Sequence, residues 1–121
     1  MPNLALWLLI GLISIVVLVH ITSFVFNILD DRFYSIFHLG GAILGVFFFY
    51  SFTGSYVFSI ILTQLLGILW EIFEWSEWKF ILKKKKYKPD PIDTRNDLVL
   101  DFIGSLLGIG LLQLWTIANA F

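Results

Sequence analysis

Five carboxylates in the second half of the sequence are spaced so that α-helices would gather them on shared faces. Glu71 and Glu74 are three residues apart, and Asp93, Asp97 and Asp101 follow one another at intervals of four. Residues three or four apart lie on one side of a helix, so each set points its oxygens in one direction. Oxygen ligands favour hard divalent cations such as Mg²⁺ or Mn²⁺. The pattern therefore predicts a metal site formed by Glu71, Glu74, Asp97 and Asp101, although such carboxylate pairs are common in helices.

Two histidines add imidazole groups to this set. His20 shares a helical face with Ser23 and Asn27, and His38 shares one with Tyr34. Ionisable residues in apolar helices normally face the interior of a bundle, where they hydrogen-bond to one another or line a functional site. We therefore expect one candidate polar cluster, whose members are His20, His38, Glu71, Glu74, Asp93, Asp97 and Asp101.

The chemistry of such a cluster leaves several functions open. It could hold a divalent cation against a lipid phosphate while a carboxylate or a histidine moves a proton. Our leading interpretation is a membrane protein that binds a cation or a polar lipid headgroup. The alternatives are a metal-dependent enzyme acting on a lipid phosphate, a proton- or cation-coupled transporter component, and a membrane scaffold in which the carboxylates only hydrogen-bond between helices.

The composition excludes several other classes of function. The chain has no cysteine, which excludes disulfides, thiolate metal sites and cysteine nucleophiles. No serine is framed as a nucleophile, and no glycine-rich phosphate loop is present. The formal net charge of -1 argues against a nucleic-acid partner.

The distribution of charge predicts an all-α, four-helix transmembrane bundle. Hydrophobic residues make up 59% of the chain, and every charged residue lies within 30–32 or 71–101. A helical span needs about 20 apolar residues, so the uncharged run 4–29 holds one span. The uncharged run 33–70 holds two, broken near Gly54 by small and polar residues. We expect spans at about 4–29, 33–51, 56–80 and 95–118, with a basic loop at about 81–94.

The basic residues predict which way this bundle faces. They lie between the first and second spans and between the third and fourth, and basic loops remain in the cytoplasm. Both termini are therefore expected on the extracytoplasmic side of a multi-pass protein of the cell membrane. A homo-oligomer or a membrane partner remains open. Anionic lipid headgroups are the expected partners of the basic loop, through Lys83, Lys84, Lys85, Lys86 and Arg95.

Two glycine pairs predict where helices pack closely. Gly41 with Gly45, and Gly104 with Gly108, have the G-x-x-x-G spacing that lets helix backbones approach in a membrane. Both pairs share a face with polar residues of their own span. We therefore expect a tight, glycine-lined core next to the polar cluster.

Other polar residues have simpler interpretations. Thr94 lies three residues before Asp97 and matches a capping box, so we expect Thr94 to cap the fourth helix. Asp101 is a turn too deep for that role and is expected in the interior. Glu77 with Lys79 is expected to form a solvated face.

The sequences WEIFEW (70–75) and DTRNDLVLDFIGSLLG (93–108) form a helix–loop–helix pattern. It resembles small multi-span bacterial proteins of the YjdF and VanZ-like type, in which a Glu-containing helix and a loop precede an Asp-x-x-x-Asp-x-x-x-(Asp/Asn)-x-x-Gly-x-x-x-Gly helix. His38 with Gly40 and Gly41 matches a preceding helix of the YjdF type. VanZ-like proteins are associated with glycopeptide resistance, so the resemblance implies a role at the envelope. It also gives weight to Glu71, Glu74, Asp93, Asp97 and Asp101.

Overall fold

The computed structural model describes residues 3–120, which fold as four long α-helices joined by short connections. Each helix is long and apolar enough to cross a bilayer by length and composition, and these described residues contain no strand. The prediction of an all-α, four-helix transmembrane protein is therefore confirmed. The helices are α1 (Leu4–Phe24), α2 (Asp31–Thr53), α3 (Tyr56–Glu77) and α4 (Pro91–Ala120).

The helices α2 and α4 pack most closely and run in the same direction. A Cβ placed on Gly104 would lie 2.7 Å from the carbonyl oxygen of Leu39 and 2.7 Å from the Cβ of Ala42. One turn farther along, a Cβ on Gly108 would lie 3.3 Å from the Cβ of Val46. The two glycines therefore bring the backbones of α2 and α4 close together.

The helix α2 also packs against α1 and α3, which run opposite to it. A Cβ on Gly45 would lie 3.2 Å from Cγ2 of Thr63 on α3, and one on Gly11 of α1 would lie 3.4 Å from Leu44. Within α1, Leu8 alone among the described residues is buried. The first helix therefore buries a smaller share of its residues than the other three, and a cavity lies beside it.

The interior of the bundle is small and partly polar, while most large apolar side chains point outward. Ser59, Thr63 and Ser105 are buried, and each hydroxyl donates to the carbonyl oxygen one turn earlier in its own helix. These bonds satisfy the hydroxyls within their own helices, and the Ser59 hydroxyl also lies 3.2 Å from the Thr53 hydroxyl of α2. Small interior residues and an apolar exterior are what a helix bundle in lipid requires.

The first helix is shorter than the apolar run that contains it. α1 ends at Phe24, and Asn27 has a left-handed backbone with φ of 59°. The uncharged run predicted as a span at about 4–29 therefore includes a short connection. Composition does not reveal this end, because the connecting residues are as apolar as the helix.

The fourth helix starts one turn earlier than predicted. Oδ1 of Asp90 accepts a hydrogen bond from the backbone N–H of Ile92 at 2.9 Å, and the Asp90 carbonyl accepts one from the N–H of Thr94. The prediction that Thr94 caps this helix is therefore wrong, because Thr94 already lies within the first turn. Asp90 followed by Pro91 provides the start, since aspartate favours the cap and proline the first helical position.

The connection between α3 and α4 is mostly helical, although a loop was predicted at about 81–94. α3 continues as a π-helix, Trp78–Leu82, which ends where Lys83 adopts a left-handed φ of 56°. A short 3-10 helix, Lys85–Tyr87, precedes α4. The connections 25–30 and 83–90 lie at the same end of the bundle, which we call the charged end.

Candidate functional site

His38 on α2 lies between two aspartates of α4. Its Nδ1 is 3.2 Å from Oδ1 of Asp101, and its Nε2 is 3.2 Å from Oδ2 of Asp97. The two aspartates are one helical turn apart, so they share the face of α4 that packs against α2. Only 12% of the imidazole side chain is exposed. The contacts between α2 and α4 therefore fix the position of this ring.

Glu71 on α3 approaches the same ring from a third helix. Its Oε1 lies 4.0 Å from Nε2 of His38, and 8% of the side chain is exposed. Oε1 itself has no hydrogen-bond partner among residues 3–120. Burying a polar atom without a partner is costly, so Oε1 marks a place where a cation or a proton would be stabilised.

One ligand atom from each of His38, Glu71 and Asp97 converges on this place. The three atoms lie within 4.8 Å of one another, close enough to bind a single metal ion. Asp101 has a different position, because it bonds to the other ring nitrogen. A proton held on Nδ1 by Asp101 leaves the Nε2 lone pair facing Glu71 and Asp97. Metal-binding histidines are commonly oriented by a carboxylate in this way.

The same contacts also fit a cluster that holds protons. A neutral imidazole carries one proton, so it can donate from one nitrogen only. If each ring nitrogen of His38 forms a hydrogen bond with an aspartate, each bond contains one proton, so the ring and the two aspartates together hold two protons. One of these protons is beyond the single proton of a neutral ring. The position next to Nε2 therefore suits either this second proton or a metal cation.

Gly67 on α3 makes room for the Asp101 carboxylate. A Cβ at this position would collide with Oδ2 of Asp101 and lie 3.1 Å from its Cγ. Asp101 is 5% exposed, and its Oδ2 has no hydrogen-bond partner within the described residues. Glycine at position 67 therefore allows the carboxylate to lie against α3 while it reaches His38.

A second polar group links α1 to α3. Nε2 of His20 is 3.1 Å from Oε2 of Glu77, and Nδ1 is 2.8 Å from the carbonyl oxygen of Val16. Glu74 accepts a hydrogen bond of 2.8 Å from the indole N–H of Trp70. The prediction that Glu77 belongs to a solvated face is wrong, because its side chain is 17% exposed and contacts His20. Glu74 and Asp101, both predicted metal ligands, are outside the group of three converging ligand atoms.

A half-open cavity of about 360 Å³ at the charged end joins the two polar groups, and we call it the polar chamber. Lys86 and Lys88 reach its wall from the connection before α4. Of the residues predicted to contact headgroups, Lys83, Lys84, Lys85 and Arg95 are exposed and do not line it. The acidic and imidazole residues on its wall are His20, Glu71, Glu74, Glu77, Asp90, Asp93 and Asp97.

The four glycines predicted to pack helices have different surroundings. Gly104 and Gly108 lie against α2, and Gly45 lies against Thr63 of α3. A Cβ on Gly41 would meet nothing within 4 Å. Gly41 therefore faces open space inside the bundle and makes no close helix contact.

Three residues near these groups were not assigned to the site from the sequence. The Tyr34 hydroxyl accepts a hydrogen bond of 2.8 Å from Ser23 and donates to the carbonyl oxygen of Ile28. The other two residues are Gly67 and Trp70. Tyr34 precedes His38 by four positions, and Gly67 and Trp70 precede Glu71 and Glu74 at the same spacing. This helical spacing is the signal that could have identified all three.

Comparison with known proteins gives one result. No curated protein and no solved structure matches the chain. Residues 35–117 match a family described as predicted membrane protein, DUF2238, and the match covers most of α2, all of α3 and most of α4. It therefore includes His38, Glu71, Asp97 and Asp101. Because the match extends over more than half of the sequence, this chain belongs to the DUF2238 family of membrane proteins.

Proposed function

We infer that this membrane protein binds a divalent cation at its charged end through His38, Glu71 and Asp97. The observation that carries this inference is the convergence of three ligand atoms from three helices within 4.8 Å. An independent observation points to the same place, since the buried Oε1 of Glu71 has no hydrogen-bond partner within the described range. Asp101 serves as a positioning residue that orients His38 through Nδ1.

The donor set favours some ions over others. Two carboxylates and one imidazole combine oxygen with nitrogen, and nitrogen ligands suit transition metals better than Mg²⁺ or Ca²⁺. Mn²⁺ and Zn²⁺ are therefore the ions we expect to bind most tightly. Three protein ligands leave coordination positions for water or for an oxygen of a substrate. An open position of this kind is what a metal-dependent reaction on a lipid phosphate would need.

The metal content of the purified protein tests this proposal. The protein in detergent is equilibrated with Mn²⁺ or Zn²⁺, separated from free metal and analysed by elemental mass spectrometry. We expect one ion per chain in the wild type and a large loss in Asp97→Asn and His38→Gln, because each removes a ligand. Asp93→Asn is the matched control, since Asp93 lines the same chamber outside the converging group. Circular dichroism checks that each variant keeps its helices.

The alternative outcome favours a different function. A folded wild-type protein without metal would overturn the cation site and leave proton carriage as the second candidate. The contacts of His20 support that candidate. Its Nδ1 must donate to the Val16 carbonyl, so the contact between Nε2 and Glu77 requires one further proton. Two proton-holding groups on the wall of one chamber are the components of a transport path.

The orientation and the finer family relationship are also proposals. The basic connection before α4 supports a cytoplasmic location for the charged end, because Lys and Arg concentrate in cytoplasmic loops. The resemblance of the third and fourth helices to YjdF and VanZ-like proteins supports a role at the cell envelope. Both proposals agree with a metal site that faces cytoplasmic ion pools.

A further inference from the structure

The charged end carries its acidic groups inside and its basic groups outside. The stretch 71–101 contains seven carboxylates, of which only Asp90 is exposed. Seven of the eight basic residues of the chain lie between positions 79 and 95, and all seven are exposed. Within the part of the chain that the structure describes, none of the seven forms an ion pair with a carboxylate. We call this set the basic rim, and its members are Lys79, Lys83, Lys84, Lys85, Lys86, Lys88 and Arg95.

Aromatic rings hold part of the basic rim in place. The ammonium group of Lys79 lies 4.5 Å from the centroid of the Trp75 ring, and that of Lys88 lies 5.4 Å from the centroid of the Trp78 ring. A cation near an aromatic face is stabilised by the charge distribution of the ring. The indole N–H of Trp78 also donates a hydrogen bond of 3.1 Å to the carbonyl oxygen of Lys84. The connection before α4 is therefore tied to the end of α3, and its lysines project from a defined backbone.

The length of the third span places the basic rim at the level of lipid headgroups. With its π-helical extension, this span runs from Tyr56 to Leu82 and has 27 residues. At 1.5 Å per residue it is about 40 Å long, which exceeds a hydrocarbon core of about 30 Å and reaches into the headgroup layers. Lys83 and Lys84 follow directly after the span. We therefore expect the lysines at the depth of headgroup phosphates.

Two apolar side chains beside the basic rim point away from the bundle. Phe80 is 66% exposed and Ile81 is 74% exposed, and both belong to the π-helix just before the lysines. A water-soluble polyanion such as RNA would leave these side chains in water, whereas the acyl chains next to the headgroups would cover them. Aromatic and basic residues together at the end of a span are typical of contact with the membrane interface.

We propose that the basic rim binds the headgroups of anionic phospholipids. Seven exposed positive charges against one exposed carboxylate favour a negative headgroup over a zwitterionic one, because each lysine or arginine near an anionic leaflet is attracted to it. Phe80 and Ile81 favour a lipid over a soluble phosphate compound. The proposal goes beyond the cation site and does not depend on it, because none of the three proposed metal ligands belongs to the basic rim.

Quenching of tryptophan fluorescence by brominated lipids tests this proposal. The parent protein carries Trp7→Phe and Trp115→Phe, both at exposed positions, so that Trp70, Trp75 and Trp78 report the lipids near the charged end. It is reconstituted into vesicles of phosphatidylcholine and phosphatidylglycerol, with bromine on the chains of one lipid or of the other. Both leaflets have the same composition, so the direction of insertion does not affect the result.

The two series of vesicles give the binding constant of phosphatidylglycerol relative to phosphatidylcholine. We expect a value of about five or more, since one lysine near an anionic leaflet contributes about that factor. In 1 M NaCl, where the screening length falls to about 3 Å, we expect a value near one.

The three consecutive lysines at 83–85 provide a matched pair of variants. The triple substitution Lys83→Gln, Lys84→Gln and Lys85→Gln removes three charges, whereas arginine at the same three positions retains them. We expect the glutamine variant to lower the relative binding constant at least twofold and the arginine variant to keep the parent value. Neither variant changes a proposed metal ligand, so the metal content should stay at the parent level in both.

The possible results separate this proposal from the metal site. A relative binding constant near one in the parent would overturn the proposal and leave the basic rim to a water-soluble polyanion. Equal values for the glutamine and arginine variants would also overturn it. So would loss of the preference when glycerol phosphate is added at the concentration of phosphatidylglycerol, because a soluble phosphate would then suffice. None of these results changes the metal content, which tests the cation site separately.

Discussion

The contact between Gly67 and Asp101 allows a sharp test of the site geometry. A methyl group added by Gly67→Ala would collide with the Asp101 carboxylate, which must then move away from His38. Overpacking a close contact costs about 1–3 kcal/mol, and leaving a buried hydrogen-bonding group unpaired costs a similar amount. We therefore expect Gly67→Ala to lower the free energy of unfolding by about 1–3 kcal/mol.

The same substitution should be nearly harmless once the carboxylate is removed. In an Asp101→Ala background the remaining Cβ at position 101 would lie 3.6 Å from the new methyl group, an ordinary van der Waals contact. We expect Gly67→Ala to change stability there by less than about 0.5 kcal/mol. The coupling between the two positions is then about 1–3 kcal/mol, and a double-mutant cycle isolates it.

Equilibrium unfolding by SDS in mixed micelles, followed by circular dichroism, measures these free energies. Gly110→Ala is the control, because a Cβ at Gly110 meets nothing within 4 Å. If Gly67→Ala has the same effect in both backgrounds, the Asp101 carboxylate does not lie against α3. The orientation of Asp101 toward His38, and with it the positioning of the metal ligand, would then be refuted.

Two further predictions concern helix packing and orientation. Gly104→Ala should lower the free energy of unfolding by about 1–3 kcal/mol in the same assay, because its Cβ would lie 2.7 Å from backbone and side-chain atoms of α2. A loss of stability no larger than that of Gly110→Ala would contradict the close packing of α2 and α4. The chain has no cysteine, so single cysteines at Lys84 and Thr53 can report orientation. A membrane-impermeant thiol reagent applied to intact cells should label Thr53→Cys and not Lys84→Cys, and the reverse pattern would overturn the cytoplasmic location of the charged end.

The sequence was sufficient to predict the class of fold because a span depends on local composition. About 20 consecutive apolar residues cross the bilayer whatever surrounds them. The start of α3 at Tyr56 could be predicted for the same reason, since Gly54 and Ser55 interrupt the apolar run. The ends of the helices were harder to predict. The end of α1 was missed because the connection after Phe24 is apolar. The start of α4 was missed because the sequence offers two caps, Asp90 and the capping box at Thr94, and only the structure shows that Asp90 is used.

Helical spacing also predicted which residues share a face within one helix. It placed Asp97 and Asp101 together on α4, and Glu71 on the inner side of α3. Spacing within a helix does not determine how one helix is rotated or shifted against the next. The sequence therefore could not reveal that Glu77 contacts His20, or that the indole N–H of Trp70 donates a hydrogen bond to Glu74.

What the sequence by itself determined is a four-helix membrane protein with carboxylates and histidines near one end. The tertiary structure decided which of them meet. Packing of α4 on α2 through Gly104 brings His38 between Asp97 and Asp101, and the absence of a side chain at Gly67 lets Asp101 fit against α3. These contacts depend on the register between helices, which close packing of small residues sets and which no single helix encodes.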